Sequence, residues 1–134
     1  MTSVREEVRP LSSPVVGPMS DSQSLQALVR RLPEHGNRPA LVAFDKHTVY
    51  PRTYAELSDA VTRLAPGLLE AGLGKGEPVV VYAPNRPEWV IFDHAAMMAG
   101  GAAAGAYATC SAEEVQYIVD HAEAHAVLVE DVGQ

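Results

Sequence analysis

The chain has 134 residues, of which 47% are hydrophobic and 20% charged, the composition of one ordinary globular domain with a single core. The formal net charge of −7 arises in the second half, where eight acidic residues follow Glu77 against one basic residue, Arg86. Phosphate binding needs clustered Lys and Arg, so this distribution excludes a nucleic-acid surface there. A single cysteine, Cys110, excludes an internal disulfide and fits a reduced, cytoplasmic compartment.

The first 21 residues predict a disordered segment, because they combine three prolines and several serines with no apolar periodicity. They also lack the apolar centre of a signal peptide, and two glutamates are atypical of a mitochondrial presequence. The most apolar stretch, 89–107, contains Asp93 and His94. We therefore predict no transmembrane segment.

Two elements are predicted before the first long helix. An amphipathic helix is expected from Ser24 to Leu32, closed by Pro33 and Gly36. Two apolar runs, 40–44 and 48–50, flank a polar turn. This pattern predicts a β-hairpin.

A long helix follows the hairpin. Thr53 and Glu56 form a capping-box pattern at its start, and Gly72 marks its end. Pro66 lies inside it and lacks a backbone donor, so we expect it to kink or split the helix.

Two glycine patterns resemble known motifs. Gly72, Gly74 and Gly76 alternate as in a phosphate loop, but they precede a strand instead of following one, so a helix end and turn is expected. Gly101-x-x-x-Gly105 is a helix-dimer pattern in membranes. Without a membrane span, it predicts close helix–strand packing.

The stretch from Pro78 onward alternates apolar and amphipathic runs, which predicts a β-α-β-α-β unit with right-handed crossovers and a parallel sheet. Asn85 is expected to cap the first helix and Gly100 to end it. Ser111 and Glu114 form a capping box for the second helix. The three predicted strands are Val79–Tyr82, Ala102–Ala108 and Ala126–Val129.

No catalytic constellation stands out among the chemically capable side chains. His121 and His125 are spaced as in zinc-binding helices, but a strand follows at once, so we expect a helix end and a loop, not a metal site. Cys110 falls at the carboxyl edge of the sheet, yet no base is identifiable near it. Structural roles are expected for three further residues, His35, His94 and Ser111.

Five segments resemble motifs of the AMP-forming adenylating enzymes, the superfamily of acyl-CoA synthetases, peptide-synthetase adenylation domains and luciferases. They are 52–57, 85–89, 98–102, 105–109 and 111–121. The last two resemble the long-chain fatty acyl-CoA synthetase branch in particular. The resemblance implies that the fold is α/β and is the partial N-terminal domain of an adenylating enzyme, with a helix, a β-hairpin and a long helix before the parallel sheet.

The resemblance extends from Ser22 to Asp131 and implies that 22–134 is the first part of an AMP-binding domain, truncated before its ATP-binding loop. The complete enzyme would join a fatty acid to coenzyme A, using ATP and Mg²⁺. The family's catalytic, nucleotide-binding and metal-binding residues lie later in its sequence. We therefore assign no catalytic, cofactor-binding or metal residue, and expect no activity and no cofactor for this chain alone.

Two alternatives remain open at this level. One is a ligase for another acid, such as an aryl or amino acid. The other is a non-enzymatic interaction module or a truncated relic. Expected partners are the fatty acid of the complete enzyme, the remaining synthetase segments or a second copy of the chain. The expected location is the cytoplasm, with or without peripheral contact to a membrane. We also expect marginal stability, because the parallel strands have open edges.

Overall fold

The computed structural model of the chain describes residues 24–45 and 48–130, so the predicted disordered segment and the centre of the hairpin turn lie outside the described residues. In chain order, its elements are α1 (Leu25–Arg30), a 3-10 helix (Leu32–His35), β1 (Pro39–Asp45), β2 (Thr48–Thr53), α2 (Tyr54–Glu70), β3 (Pro78–Tyr82), α3 (Pro87–Ala99), β4 (Ala102–Ala106), α4 (Ala112–Ala122) and β5 (Ala126–Val129). The mixed α/β class and the order of the elements confirm the prediction.

The first helix is shorter than predicted. Ser24 caps α1 by accepting a hydrogen bond from the Ala27 amide at 3.1 Å, but the helix ends at Arg30 and a 3-10 turn follows. Pro33 causes the change, because it has no N–H to donate to the carbonyl four residues earlier. Only Val29 of α1 is buried.

The hairpin and the cap of the long helix confirm the prediction. Strands β1 and β2 pair antiparallel, with Ala43 opposite Tyr50. At the start of α2, the Thr53 hydroxyl accepts a hydrogen bond from the Glu56 amide at 3.2 Å. The Glu56 carboxylate in turn accepts one from the Thr53 amide at 2.8 Å. The capping box therefore joins the hairpin directly to α2.

Helix α2 continues through Pro66, so of the expected kink or split the split is wrong, and the kink stays a prediction. Pro66 removes one backbone hydrogen bond, and both it and Thr62, whose carbonyl loses that donor, are exposed to water. Hydration can satisfy that carbonyl, which makes the proline tolerable near the helix end. The opposite face of α2 is buried through Leu57, Ser58, Val61, Ala65 and Leu68.

The three parallel strands form a sheet in the order β4-β3-β5. In this register, Val80 lies opposite Ala104 on one side and Val127 on the other. The central residues of β3 are fully buried, which confirms the prediction made from its charge-free sequence. Strand β4 ends at Ala106, two residues earlier than predicted.

The two faces of this sheet are covered unequally. Val79 and Val81 belong to the main core, together with residues of α2 and α3. Val80 points to the other face because successive side chains of a strand alternate, and α4 contacts β3 there. Along β5 the same alternation leaves Val127 and Val129 about 40% and 39% exposed. The α4 face is therefore the thinly covered one.

The cap of α3 differs from the prediction. Arg86, not Asn85, occupies the N-cap position, and its side chain makes no capping hydrogen bond. Pro87 takes the first helical position, where its fixed φ is suitable and no donor is needed. Asn85 is thereby displaced one residue outside the helix. At the other end, Gly100 adopts the left-handed conformation with φ 93° and ends the helix as predicted.

Both glycines of the Gly101-x-x-x-Gly105 pattern lie at close contacts, as predicted. A Cβ atom on Gly101 would lie 2.8 Å from the carbonyl oxygen of Glu77. A Cβ atom on Gly105 would lie 3.1 Å from Cζ2 of Trp89. Over the described ranges, no helix has the length and apolar character needed to cross a bilayer.

Candidate functional site

Two loops and the residue that follows β5 meet at the carboxyl edge of the parallel sheet, the place where α/β folds put their binding sites. One loop follows β3 at 83–86, the second follows β4 at 107–111, and Glu130 follows β5. The hydroxyl of Tyr82, the last residue of β3, donates a hydrogen bond of 3.0 Å to the Cys110 carbonyl. This bond fixes the second loop against the central strand.

Arg86 is held by two carboxylates at this edge. Its Nη1 lies 2.8 Å from Glu130 Oε1, and its Nε lies 3.3 Å from Glu88 Oε2. The hydrogen bond that Arg86 donates to Glu130, and then the one that it donates to Glu88, raises the pKa of Arg86. The guanidinium therefore joins the end of β5 to the start of α3 and is already neutralised.

A pocket of about 680 Å³ surrounds this ion-pair group. Four charged side chains line it, and their charges sum to zero: Arg52, Arg86, Glu88 and Glu130. Such a balance gives little attraction for a polyphosphate. Among the described residues, no group of three His, Cys, Asp or Glu side chains is placed to hold a metal ion. The charges that line this pocket therefore balance one another.

A second pocket, of about 470 Å³, lies between the β3–α3 loop and the β4–α4 loop. Its lining includes Asn85, Trp89, Tyr107 and Thr109, and no charged residue. We call it the neutral pocket. Nothing in the sequence pattern pointed to it, since its two loops are joined only through the sheet.

Cys110 and Ser111 lie beside the carboxyl edge in structural roles. Cys110 is partly buried, and its backbone is engaged at both ends: the amide bonds to the Tyr107 carbonyl at 2.9 Å, and the carbonyl accepts from Tyr82. The Ser111 hydroxyl accepts a hydrogen bond from the Glu114 amide at 3.3 Å, which confirms the capping box.

The histidine pair is divided between two partners. His121, in the last turn of α4, stacks on Tyr117 with ring centroids 5.5 Å apart. His125, beyond the helix, approaches Glu77 with its Nδ1 at 3.2 Å and the Ala71 carbonyl with its Nε2 at 3.0 Å. The two imidazoles therefore serve different parts of the structure.

His94 and His35 also have local partners, as expected. The His94 Nδ1 lies 3.0 Å from the Asp93 carboxylate on α3. The His35 ring packs against Tyr54 with centroids 4.7 Å apart. Neither histidine lines the two pockets of the carboxyl edge.

The alternating glycines lie at the opposite, amino edge of the sheet. Gly72 and Gly76 have positive φ angles of 100° and 79° in the turn after α2. The Gly74 amide donates to Glu77 Oε2 at 2.8 Å, so an acidic side chain takes the amide that a phosphate would need. The turn interpretation is confirmed.

A family model for AMP-binding enzymes matches residues 28–134. The chain therefore belongs to the AMP-binding enzyme family, which its parallel α/β sheet and the five motif segments also fit.

Fatty-acid–CoA ligases are among the sequence relatives of the chain. The long-chain-fatty-acid–CoA ligase ACSBG2 of Rattus norvegicus is 32% identical over 117 residues, which is 87% of this chain and 17% of that ligase. The chain thus spans less than a fifth of that ligase, and it spans 11% of the peroxisomal long chain acyl-CoA synthetase 6 of Arabidopsis thaliana.

Solved structures share the fold. The fatty acid AMP ligase of Legionella pneumophila superposes with a TM-score of 0.73 at 22% identity, over 81% of this chain and 20% of that one. The N-terminal subdomain of Klebsiella oxytoca NpsA, in complex with 3-hydroxyanthranilyl-AMSN, superposes with a TM-score of 0.71 at 24% identity, over 81% and 27%. Both structures thus share the fold of this chain.

Proposed function

We propose that residues 22–134 form the N-terminal part of the AMP-binding domain of a long-chain fatty-acid–CoA ligase. In this proposal the chain supplies scaffold, and the catalytic groups come from elsewhere in the enzyme. The main support is the 32% identity to the rat ligase over 87% of the chain. The pairing of Arg86 with Glu88 and Glu130, which neutralises the pocket around it, also favours a scaffold.

The complete enzyme would act in two steps. The fatty-acid carboxylate would attack the α-phosphorus of ATP, forming an acyl adenylate and releasing pyrophosphate. The thiol of coenzyme A would then take the acyl group and release AMP. ATP and Mg²⁺ follow from family membership, whereas coenzyme A and a cytoplasmic location belong to the proposal.

A ligase for an aromatic acid is the second candidate, because the Klebsiella subdomain of the same fold carries a 3-hydroxyanthranilyl ligand. The fatty-acid function ranks first, because the chain is 32% identical to the rat ligase and only 24% identical to the Klebsiella subdomain. The third candidate is an interaction module. The balanced charges of the pocket around Arg86 favour it, because they give little attraction for a nucleotide.

The purified chain tests the scaffold role. With palmitate or 3-hydroxyanthranilate, we expect no acid-dependent exchange of pyrophosphate into ATP. Exchange well above that of a no-acid control would show that the chain carries catalytic groups. The rat ligase serves as the positive control.

A chimera tests the ligase identity. Residues 28–134 would replace the corresponding segment of the rat ligase, and a deletion of that segment would be the control. We expect palmitate-dependent exchange in the chimera and none in the deletion. A folded chimera without activity on any acid would overturn the proposal.

The gene downstream of codon 134 separates the candidates further. A Ser/Thr/Gly-rich loop that ends in Pro-Lys would support an enzyme, because such loops bind phosphate through backbone amides and a lysine. An in-frame stop codon would support the interaction module. If the gene encodes a longer protein, comparing its pyrophosphate exchange with palmitate and with 3-hydroxyanthranilate would distinguish the two ligases.

A further inference from the structure

The neutral pocket has the properties of a ligand site that the scaffold role does not use. Its volume of about 470 Å³ falls in the range of small-molecule pockets. It lies at the carboxyl ends of β3 and β4, whose connections leave in opposite directions because β5 lies on the other side of β3. Open α/β sheets bind ligands at such switch points.

Asn85 gives this pocket a directed polar group. The side chain is exposed, lines the pocket and does not cap α3, since Arg86 holds that position. No described residue forms a hydrogen bond with it. A side-chain amide presents an acceptor oxygen and a donor NH₂ group side by side. The matching ligand group offers a donor and an acceptor in the same arrangement, as a carboxamide does.

Trp89 and Tyr107 supply apolar surface. The Trp89 ring lies against the backbone of β4, where an added Cβ on Gly105 would come within 3.1 Å of Cζ2. A side chain at Gly105 would therefore have to push the Trp89 ring away by a few tenths of an ångström. Tyr107 is 83% exposed on the second loop. Aromatic faces of this kind favour flat or apolar groups.

We propose that the neutral pocket binds an uncharged ligand that carries a carboxamide on a flat or apolar body. The carboxamide would pair with Asn85, and the body would lie against Trp89. A carboxylate would be disfavoured, because the pocket offers no cation to replace its water. This site is independent of the ligase proposal, whose substrate is a carboxylate.

Trp89 is the only tryptophan of the chain, so its fluorescence reports on this pocket directly. The whole chain would be titrated with benzamide, with benzoate as the charged control of the same shape, and with toluene as the control without an amide. N-acetyltryptophanamide would correct for collisional quenching. We expect saturable quenching with benzamide, and weaker binding of benzoate and toluene.

Two variants assign the effect to Asn85. Asn85→Ala is expected to weaken benzamide binding about fivefold, the loss of one net hydrogen bond. Asn37→Ala, in an exposed turn, should leave the affinity unchanged. Circular dichroism would verify that both variants fold. Benzoate binding as tight as benzamide, equal benzamide affinities of Asn85→Ala and the wild type, or no saturable quenching would each overturn the proposal.

Discussion

Substituting Gly101 by alanine is expected to strain the start of the sheet. The new Cβ would lie 2.8 Å from the Glu77 carbonyl oxygen and 3.0 Å from Cδ2 of Leu73. The same oxygen accepts the 3.0 Å hydrogen bond from the Ala102 amide that aligns β4 with β3. Leu73 is itself buried, so neither neighbour can move away freely. The methyl group must therefore displace backbone.

Overpacking of this kind costs about 1–3 kcal/mol. Small domains are stable by only about 5–15 kcal/mol, so the loss is a large fraction of the whole. With a urea slope of about 1–3 kcal/mol per molar, the unfolding midpoint of Gly101→Ala should fall by roughly 1 M. Urea titration followed by circular dichroism measures this shift.

Two other glycines serve as controls, because an added Cβ would meet no neighbouring atom at either of them. Gly67 lies in α2 with open space around it, so Gly67→Ala should raise stability by up to ~1 kcal/mol through helix propensity. Gly100 also has open space, but its φ of 93° should make Gly100→Ala destabilising by about 1–2 kcal/mol. A midpoint for Gly101→Ala equal to that for Gly67→Ala would refute the steric reasoning.

Three further predictions concern charge and the sheet edges. The hydrogen bond from the Thr53 amide lowers the pKa of Glu56, so the ionised Glu56 stabilises the folded chain fully above about pH 4.5, and this stabilisation is lost as pH falls through the folded-state pKa. Glu56→Gln should therefore flatten the acid side of a curve of Tm against pH. A curve equal to that of the wild type would contradict this. Arg86→Met should lower Tm slightly in low salt and leave it equal to the wild type in about 1 M NaCl, because exposed pairs are screened. Open edges at β4 and β5 should cause concentration-dependent association in ultracentrifugation and a broad thermal transition; a sharp melt of a monomer at all concentrations would count against this.

The sequence was sufficient for the elements whose causes are local. Alternating apolar and amphipathic runs located β3 and the helices after it, and the Thr53 and Ser111 capping boxes fixed two helix starts to the residue. The differences between prediction and structure also have local causes. Pro33 ended α1 early, and Pro87 at the first helical position moved the cap from Asn85 to Arg86.

The contacts of the candidate site could not be predicted in the same way. Tyr82 and Cys110 are 28 residues apart, and Arg86 and Glu130 are 44 apart. These pairs meet only because β3 lies between β4 and β5. The strand order cannot be read from the local sequence pattern of any one element. The neutral pocket depends on the same order. Family membership was accessible from sequence, because its motifs are short and contiguous.

The uneven cover of the sheet has a consequence for how the molecule opens. All of α4 is described and none of its residues is buried, whereas Val79, Val80 and Val81 are sealed on both sides. Amide protons of α4 and β5 should therefore exchange with deuterium long before those of β3. Loosening would begin at the last third of the described chain and proceed inward, leaving the hairpin, α2, α3 and the central strand as the longest-lived unit.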